Sequence, residues 1–398
     1  MSLAMRPTTP PALSRRAAET PSSAIRDLLE HAARPGMISL AGGLPDPERF
    51  PVEAIRAATD HVLSSQPSAA LQYAETRGVE AARAAFAERM LAEEGAAPAV
   101  RADDMVITTG SQQALDLLAR VLLDPGDPVI VSDPDYLGAL QVFRSHGASL
   151  HPVPVDADGM QVEVLEDLLA HGLRPKLCYV VPNFHNPTGA SLSEARRSHL
   201  ADLSARYGFV VVEDDPYRDL WIHTEPAAMP GDSELTVRLR SVSKILAPGL
   251  RVGALQGPTW LTDAVITAKQ STDLHTASLN QLVVAEALTS PWLGEHLAGL
   301  RMSYAAKRDA LLVALERSFG ARVACNRPAG GMFVWVRFAD VADAAELLER
   351  ALDLDVCFVP GAAFSVQRDL ARHARLSFAT ATPAQLGAAV QRLATAAS

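Results

Sequence analysis

Cysteine is scarce in this chain. Cys178, Cys325 and Cys357 are the only three in 398 residues, widely separated and odd in number. They form neither a disulfide framework nor a metal-spaced pair, so the expected compartment is a reducing cytoplasm and no metal site is expected. Basic charge is also in deficit: 36 Lys and Arg against 46 Asp and Glu give a formal net charge of −10. A general nucleic-acid binder needs a basic surface, so that class is disfavoured, although a local basic pocket for a small anion is not. No apolar run approaches the roughly 18 residues that mark a membrane span. The N-terminus carries arginines and prolines but no apolar segment of the kind a secretory signal needs. What is present is ordinary for a soluble globular protein, 48% hydrophobic and 21% charged, and the length allows a large core in two or three domains.

The chemistry concentrates in Ser241-Val242-Ser243-Lys244-Ile245-Leu246-Ala247-Pro248-Gly249-Leu250-Arg251-Val252-Gly253. One lysine follows two hydroxyls, Pro248-Gly249 turns the chain, and an arginine follows. Apolar residues flank the segment on both sides, so Lys244 is expected to be desolvated and easier to deprotonate. A neutral amine condenses with carbonyls to form a Schiff base. With serines and an arginine to hold a phosphate, the combined reading is a lysine that carries pyridoxal phosphate. Alone, such a lysine is far more often a solvated surface charge than a catalyst, and only the other parts of such a site elsewhere in the chain can decide between the two.

Residues 1–20 read as a flexible tail. Ser22 and Ser23 cap a predicted helix over Ala24 to Ala33, with Arg26 off its apolar stripe. A short strand from Ile38 enters Gly42-Gly43, where a backbone without Cβ atoms can approach a ligand. Helices are predicted from Val52 to Ser64 and Val79 to Glu93, with Tyr73 in the loop between. Strand and helix then alternate. Predicted strands are Met105 to Thr108, Pro128 to Ser132, Leu177 to Val181, Phe209 to Val212 and Val252 to Gln256. Predicted helices are Ala114 to Leu122 and a segment after Tyr136 ending near Ser145. The run of apolar residues in Phe209 to Val212 fits a strand buried on both faces. Gly110-Ser111-Gln112, Tyr136, Asn186, Asp214, Tyr217 and Lys244 each follow the carboxyl end of an apolar strand, the edge at which open α/β sheets bind ligands. Gly110-Ser111-Gln112 also precedes a helix, where free N–H groups favour a phosphate. Beyond residue 290 a long helix, Trp292 to Ser318, leads to a strand opened by Gly330-Gly331, short strands at Val356 to Val359 and Arg375 to Phe378, and a last helix from Pro383 to Ala396. This region reads as a smaller α+β domain.

Eight segments carry a resemblance: SLAGGLPDP from Ser39, ITTGSQQALDLL from Ile107, NPTG from Asn186, EDDPY from Glu213, SVSKILAPGLRVG from Ser241, LHTASLNQ from Leu274, GGMFV from Gly330 and RLSF from Arg375. From about Ser22 to the C-terminus the chain resembles the fold-type-I PLP-dependent aminotransferases of class I/II, closest to the 2-aminoadipate (LysN-like) subgroup whose domain is shared with MocR-type regulators. The resemblance implies an α/β fold with a large, mostly parallel sheet flanked by helices over 51–290. It also implies a small α+β domain over 291–398, with 21–50 packing against it, and a homodimer with shared sites. Its cofactor is pyridoxal 5'-phosphate, and its partners are an L-amino acid, with glutamate as donor, and a 2-oxo acid.

By the same resemblance Lys244 is the Schiff-base lysine and proton shuttle, and Asp214 pairs with the pyridine nitrogen, keeping it protonated. Asn186 and Tyr217 bond the ring's phenolic oxygen, and Tyr136 stacks on the ring. Gly110, Ser111, Gln112, Ser241, Ser243 and Arg251 hold the phosphate, with Tyr73 reaching in from a second subunit. Arg375 clamps the substrate α-carboxylate, near Asn186 and the Gly43 backbone, and Arg26 reaches a distal carboxylate. Three residues depart from the pattern: Arg240 before the Ser-x-Ser-Lys, His185 before Asn186, and Arg77 after Tyr73. Arg240 is expected near the phosphate or pointing outward, and His185 is expected to pack beside Asn186. Another PLP reaction on the same scaffold, β-elimination or decarboxylation, stays open at this point, as does a PLP-sensing regulatory module.

Overall fold

The computed structural model describes residues 12–14, 34–94, 100–230 and 234–398. The predicted helix over Ala24 to Ala33, and Arg26 with it, lies outside them. The strands, in chain order, are β1 Ile38–Ser39, β2 Met105–Thr108, β3 Pro128–Asp133, β4 Ser149–Asp156, β5 Gly159–Met160, β6 Leu177–Val180, β7 Val210–Asp214, β8 Thr236–Ser241, β9 Gly253–Gln256, β10 Val323–Cys325, β11 Phe333–Phe338, β12 Val356–Cys357, β13 Val359–Pro360 and β14 His373–Ser377.

Eight of them form one sheet in the order β2-β9-β8-β7-β6-β3-β4-β5. Its centre, from β8 through β7, β6 and β3 to β4, is parallel, and β9 and β5 are antiparallel to their neighbours. The central strands LCYV and VVVED are buried at every position, because helices cover both faces of a parallel sheet and each face then needs apolar side chains. Helix Ser111–Leu122 lays Ala114, Leu115, Leu117, Leu118 and Ala119 into the core on one side. On the other, Val162–Ala170 and Glu194–Tyr207 bury Val162, Leu165, Leu169, Leu200 and Leu203 together with Ile130, Cys178 and Val211 of the sheet.

A second sheet, β10-β11-β14-β13, is antiparallel. The stretch from Val356, expected as one strand, divides at Phe358. Val356–Cys357 pairs in parallel with β1, while Val359–Pro360 joins β14. The N-terminal segment is thereby fixed to the C-terminal part: Leu40 N donates to Cys357 O at 2.7 Å and Ser377 N to Leu40 O at 2.7 Å. The 28-residue helix Trp292–Phe319, about 42 Å long at 1.5 Å per residue, packs along Pro383–Ala396 at the small sheet and still reaches Ser278–Thr289 at the large one.

Among the described residues, no helix is long and apolar enough to cross a membrane, and no group of three or more His, Cys, Asp or Glu is arranged to hold a metal ion.

Candidate active site

Strand direction decides where the polar loops meet. β9 opposes β8, and β2 opposes β9, so β2 runs with the parallel strands. The carboxyl ends of β2, β3, β6, β7 and β8, and the start of β9, therefore share one edge of the sheet. Loops from that edge, with the 42–44 turn and β14 of the small sheet, enclose a cavity of about 280 Å³. Gly43, Ser111, Gln112, Tyr136, Asn186, Asp214, Tyr217, Ser241, Ser243, Lys244, Arg251 and Arg375 all line it. Gly110 sits just behind, at φ 75°, where an added Cβ would lie 2.8 Å from the Arg251 guanidinium. That combination of backbone and space suits glycine alone. Tyr73 does not enter this cavity; it is 79% exposed, with its ring edge-on to His275 at 5.7 Å.

Lys244 Nζ donates to Gly43 O at 2.8 Å. Burial, helped by the positive charges of Arg375 and Arg251, lowers its pKa to about 8. Asp214, the last residue of β7, receives the Tyr179 hydroxyl on Oδ2 at 2.9 Å. Its Oδ1 is buried without a partner in the chain. Burial pushes Asp214 up to about 6, opposed by the Tyr179 bond and the Arg240 charge. Tyr179 escapes sequence reading because it stands in an apolar strand, where an aromatic reads as core; its phenol is nevertheless the one that holds Asp214. Tyr217 and Tyr136 are both raised above the ordinary phenol value, chiefly by burial, so both are neutral donors.

The helix expected from Ala114 starts at Ser111. Ser111 and Gln112 thus occupy its first turn, where backbone N–H groups have no partner inside the helix. Ser111 Oγ, although near enough to Asp214 to temper its rise, makes no hydrogen bond of good geometry. Ser241 Oγ accepts from Ser243 N at 3.1 Å and donates to Ser243 Oγ at 2.9 Å, and Arg251 Nη2 donates to Thr109 O at 3.0 Å. Beneath this cup is a cluster the sequence does not announce. Lys269, with 0% exposure, donates to Gln113 Oε1 at 3.0 Å, to both Asp273 oxygens at 2.7 and 2.9 Å, and to Thr276 Oγ1 at 3.2 Å. Gln113 Oε1 in turn accepts from Thr109 N at 2.7 Å.

Arg375 is buried to 2% exposure. Its guanidinium lies between the rings of Phe333 and Phe364, 4.3 and 4.9 Å from their centroids. Nη1 donates to Asn186 Oδ1 at 2.8 Å and Nη2 to Ala41 O, while Nε has no partner in the chain. Burial lowers its pKa to about 10, which leaves it cationic.

The three departures resolve differently. Arg240 neither lines the cavity nor points outward: it is buried, its Nη1 3.0 Å from Glu213 Oε1. Burial pushes Glu213 up, but Arg240 and Arg238 together reverse this and hold it below its ordinary value. His185 packs beside Asn186, its ring nitrogens 2.9 Å from Thr188 Oγ1 and 3.3 Å from Asp135 Oδ1. Arg77 lies at the edges of Asp103 and Asp263, 4.0 and 3.9 Å away, too far for more than weak screened attraction.

A buried carboxylate oxygen without a donor, a helix N-terminus beside an arginine and hydroxyls, and an amine of depressed pKa suit a small planar cofactor. Such a cofactor has a protonated ring nitrogen at one end, a phosphate at another and a carbonyl between. The pyridoxal 5'-phosphate expected from the sequence has those groups, and the residues present fit it.

Comparison with known proteins points the same way. The family model for aminotransferase class I and II matches residues 35–393. The chain is 39% identical over 390 residues to the 2-aminoadipate transaminase of Thermus thermophilus, covering 96% of this chain and 95% of that one. It is 38% identical over 388 residues to aromatic-amino-acid aminotransferase 1 of Thermococcus litoralis, covering 96% and 93%. The solved alpha-aminoadipate aminotransferase of Thermus thermophilus, complexed with N-(5'-phosphopyridoxyl)-L-leucine, superposes with a TM-score of 0.89 at 37% identity, covering 96% of both chains. Sheet, cavity and kinship agree: this chain belongs to the class I and II aminotransferases, enzymes that move amino groups between amino acids and 2-oxo acids with pyridoxal 5'-phosphate.

Proposed function

We propose that this aminotransferase exchanges amino groups between L-amino acids, glutamate foremost as donor, and 2-oxo acids of the 2-aminoadipate, branched-chain and aromatic class. One observation carries the assignment of roles. Lys244, Asp214 with its partnerless Oδ1, and Arg375 line the same cavity. Bound pyridoxal 5'-phosphate supplies an electron sink for the pair left when the α C–H bond of the amino acid breaks. Lys244 Nζ holds the cofactor at rest and then carries the α-proton, a task that suits a base poised near neutrality. Asp214 Oδ1 would accept the ring N–H and keep its proton in place. Asn186 and Tyr217 would bond the phenolic oxygen, and Tyr136 would cover the ring. Ser111, Gln112, Ser241, Ser243 and Arg251, behind the Gly110 turn, would hold the phosphate. Arg375 would pair with the α-carboxylate beside Asn186 and Gly43.

Charge sets the breadth of the side-chain class. Among the described residues the cavity's cations are Lys244, Arg251 and Arg375, each with a task above, and Leu44 offers an apolar wall. Apolar side chains fit that wall, whereas a distal carboxylate needs a further cation, which we assign to Arg26. Arg26→Ala is expected to lower kcat/KM for glutamate and 2-aminoadipate about tenfold or more while sparing leucine, the loss of one charge-assisted hydrogen bond. Equal effects on all three would overturn the assignment. The function itself is tested by the visible absorption of the holoenzyme. One amino acid should bleach the band and a 2-oxo acid restore it, whereas release of ammonia and pyruvate from a β-substituted amino acid without transfer would point to elimination.

We also read the chain as a cytoplasmic homodimer with a large domain over 51–290 and a small one over 291–398, the latter joined by the segment before 51. The outward Tyr73 supports the shared site, and the pairing of β1 with β12 supports the division.

A further inference from the structure

A single carboxylate ties the two halves of the cavity together. Asp133 ends β3 and is fully buried. Its side chain reaches across to the turn before β14 and accepts three successive backbone N–H groups. Oδ1 receives Val366 N at 3.1 Å, and Oδ2 receives Gln367 N and Arg368 N, both at 3.0 Å. Arg368 Nη1 returns a bond to Asp133 O at 3.2 Å, and Asp135 N donates to Phe364 O at 3.0 Å. The segment that holds Phe364 is thus fastened at both ends to the segment that leads into Tyr136. A buried carboxylate that satisfies three successive amides of a part-exposed turn is a strong, directional fastening.

What it fastens is one face of the Arg375 sandwich. The Phe364 ring lies 4.9 Å from the Arg375 guanidinium carbon and is held in turn edge-on to Trp335 at 6.0 Å. A guanidinium reads a carboxylate through two parallel bonds, so its plane must be fixed to within a small angle. Phe333, at 4.3 Å, and Phe364, at 4.9 Å, are the two rings against which that plane rests. We infer that Asp133 is a positioning residue for substrate: it clamps the 361–368 turn onto the large sheet and so sets Phe364 against Arg375 for carboxylate binding. This rests on the reading of Arg375 as the α-carboxylate partner.

The test uses the holoenzyme and three variants, each titrated with the amino acid, the 2-oxo acid and propionate, a carboxylate that cannot react. Asp133→Asn keeps the shape but turns donors toward the amides. It is expected to raise both KM values and the propionate Ki about tenfold, while kcat at saturation and cofactor affinity stay near wild type. An unchanged Ki, or a fall in kcat with Ki unchanged, would overturn the inference. Should that variant fail to fold, Phe364→Leu leaves the clamp intact and removes the aromatic face; it must raise the same three constants, and unchanged values would overturn the inference equally. Arg375→Lys separates the two levels. If it leaves the propionate Ki unchanged, the carboxylate role of Arg375 fails and the inference with it. If it weakens propionate while neither other variant does, only the role of Asp133 fails.

Discussion

Lys244 and Asp214 show how burial sets chemistry at single residues. Both are shifted chiefly by loss of solvent, in opposite directions of pKa, because each loses the stabilisation of its charged form. For Lys244 the consequence is kinetic. Only the neutral amine adds to a carbonyl, so the rate at which cofactor-free protein takes up pyridoxal 5'-phosphate should rise with pH through a midpoint near about 8. Stopped-flow absorbance reads this directly, and a midpoint near the unshifted 10.5 would show that the amine is not desolvated. Lys244→Arg, which cannot give up its proton, should show no pH-dependent uptake. For Asp214 the consequence is electrostatic. Its unpaired oxygen carries a charge that burial makes costly until a cationic N–H meets it. Asp214→Asn removes that charge and is expected to lower kcat/KM about 10²–10³-fold, the scale of losing one preorganised electrostatic contact in a dry site. A drop of less than about tenfold would mean that the ring nitrogen is held in another way.

At the scale of elements, helix Ser111–Leu122 must be anchored as well as formed. Its first turn offers N–H groups to an anion only if the preceding loop keeps its shape, and that loop is held from below through Gln113, Lys269 and Asp273. Gln113→Ala leaves the Lys269–Asp273 pair intact, so no charge is left unpaired, but frees Thr109 N. The expected result is a five- to tenfold weaker hold on the cofactor, about one hydrogen bond's worth, with little change in the melting temperature of cofactor-free protein. Lys269→Met, which strands Asp273 in a partly buried site, should lower both. Equilibrium dialysis and a thermal melt separate the two.

This cluster also marks where sequence reading ends. The strands at 105–108, 128–133, 177–180 and 210–214 are legible because burial on both faces leaves runs of apolar residues, and the last helix is found where it is expected, at Pro383–Ala396. Most of the cavity's polar lining is legible because Ser111, Tyr136, Asn186, Asp214, Tyr217 and Lys244 end or follow such strands, whereas Arg375 stands inside β14 and only the family resemblance singles it out. Lys269 and Gln113 are 156 residues apart, and Asp133 and Gln367 are 234 apart; no local pattern encodes such a meeting, and within its own segment each reads as an ordinary helix or loop polar residue. Arg240 is the reverse case. Beside the lysine motif its charge suggests an exposed or phosphate-facing role, but strand alternation turns it toward Glu213, where its Nη1 meets the buried Oε1 at 3.0 Å.

The whole molecule poses the question of who supplies Tyr73. In its own chain the residue stands 79% exposed, outside the cavity and edge-on to His275, and an aromatic so exposed gains little from that position. A second copy related by a two-fold axis would receive it, since one closed interface places each chain's loop at the other's site. The arrangement predicts complementation. Lys244→Ala abolishes turnover, and Tyr73→Ala weakens the phosphate contact by about one charge-assisted hydrogen bond, roughly tenfold in cofactor affinity. In a mixed dimer one site collects both defects, while the other has its own Lys244 and the partner's intact Tyr73. Refolding the two variants together in equal amounts should place half of the chains in such hybrids, so about a quarter of all sites are native. Assayed at a cofactor concentration too low for Tyr73→Ala alone, the mixture should recover about that fraction of wild-type activity. If Tyr73 serves its own chain instead, every site in every pairing keeps one defect and mixing recovers nothing.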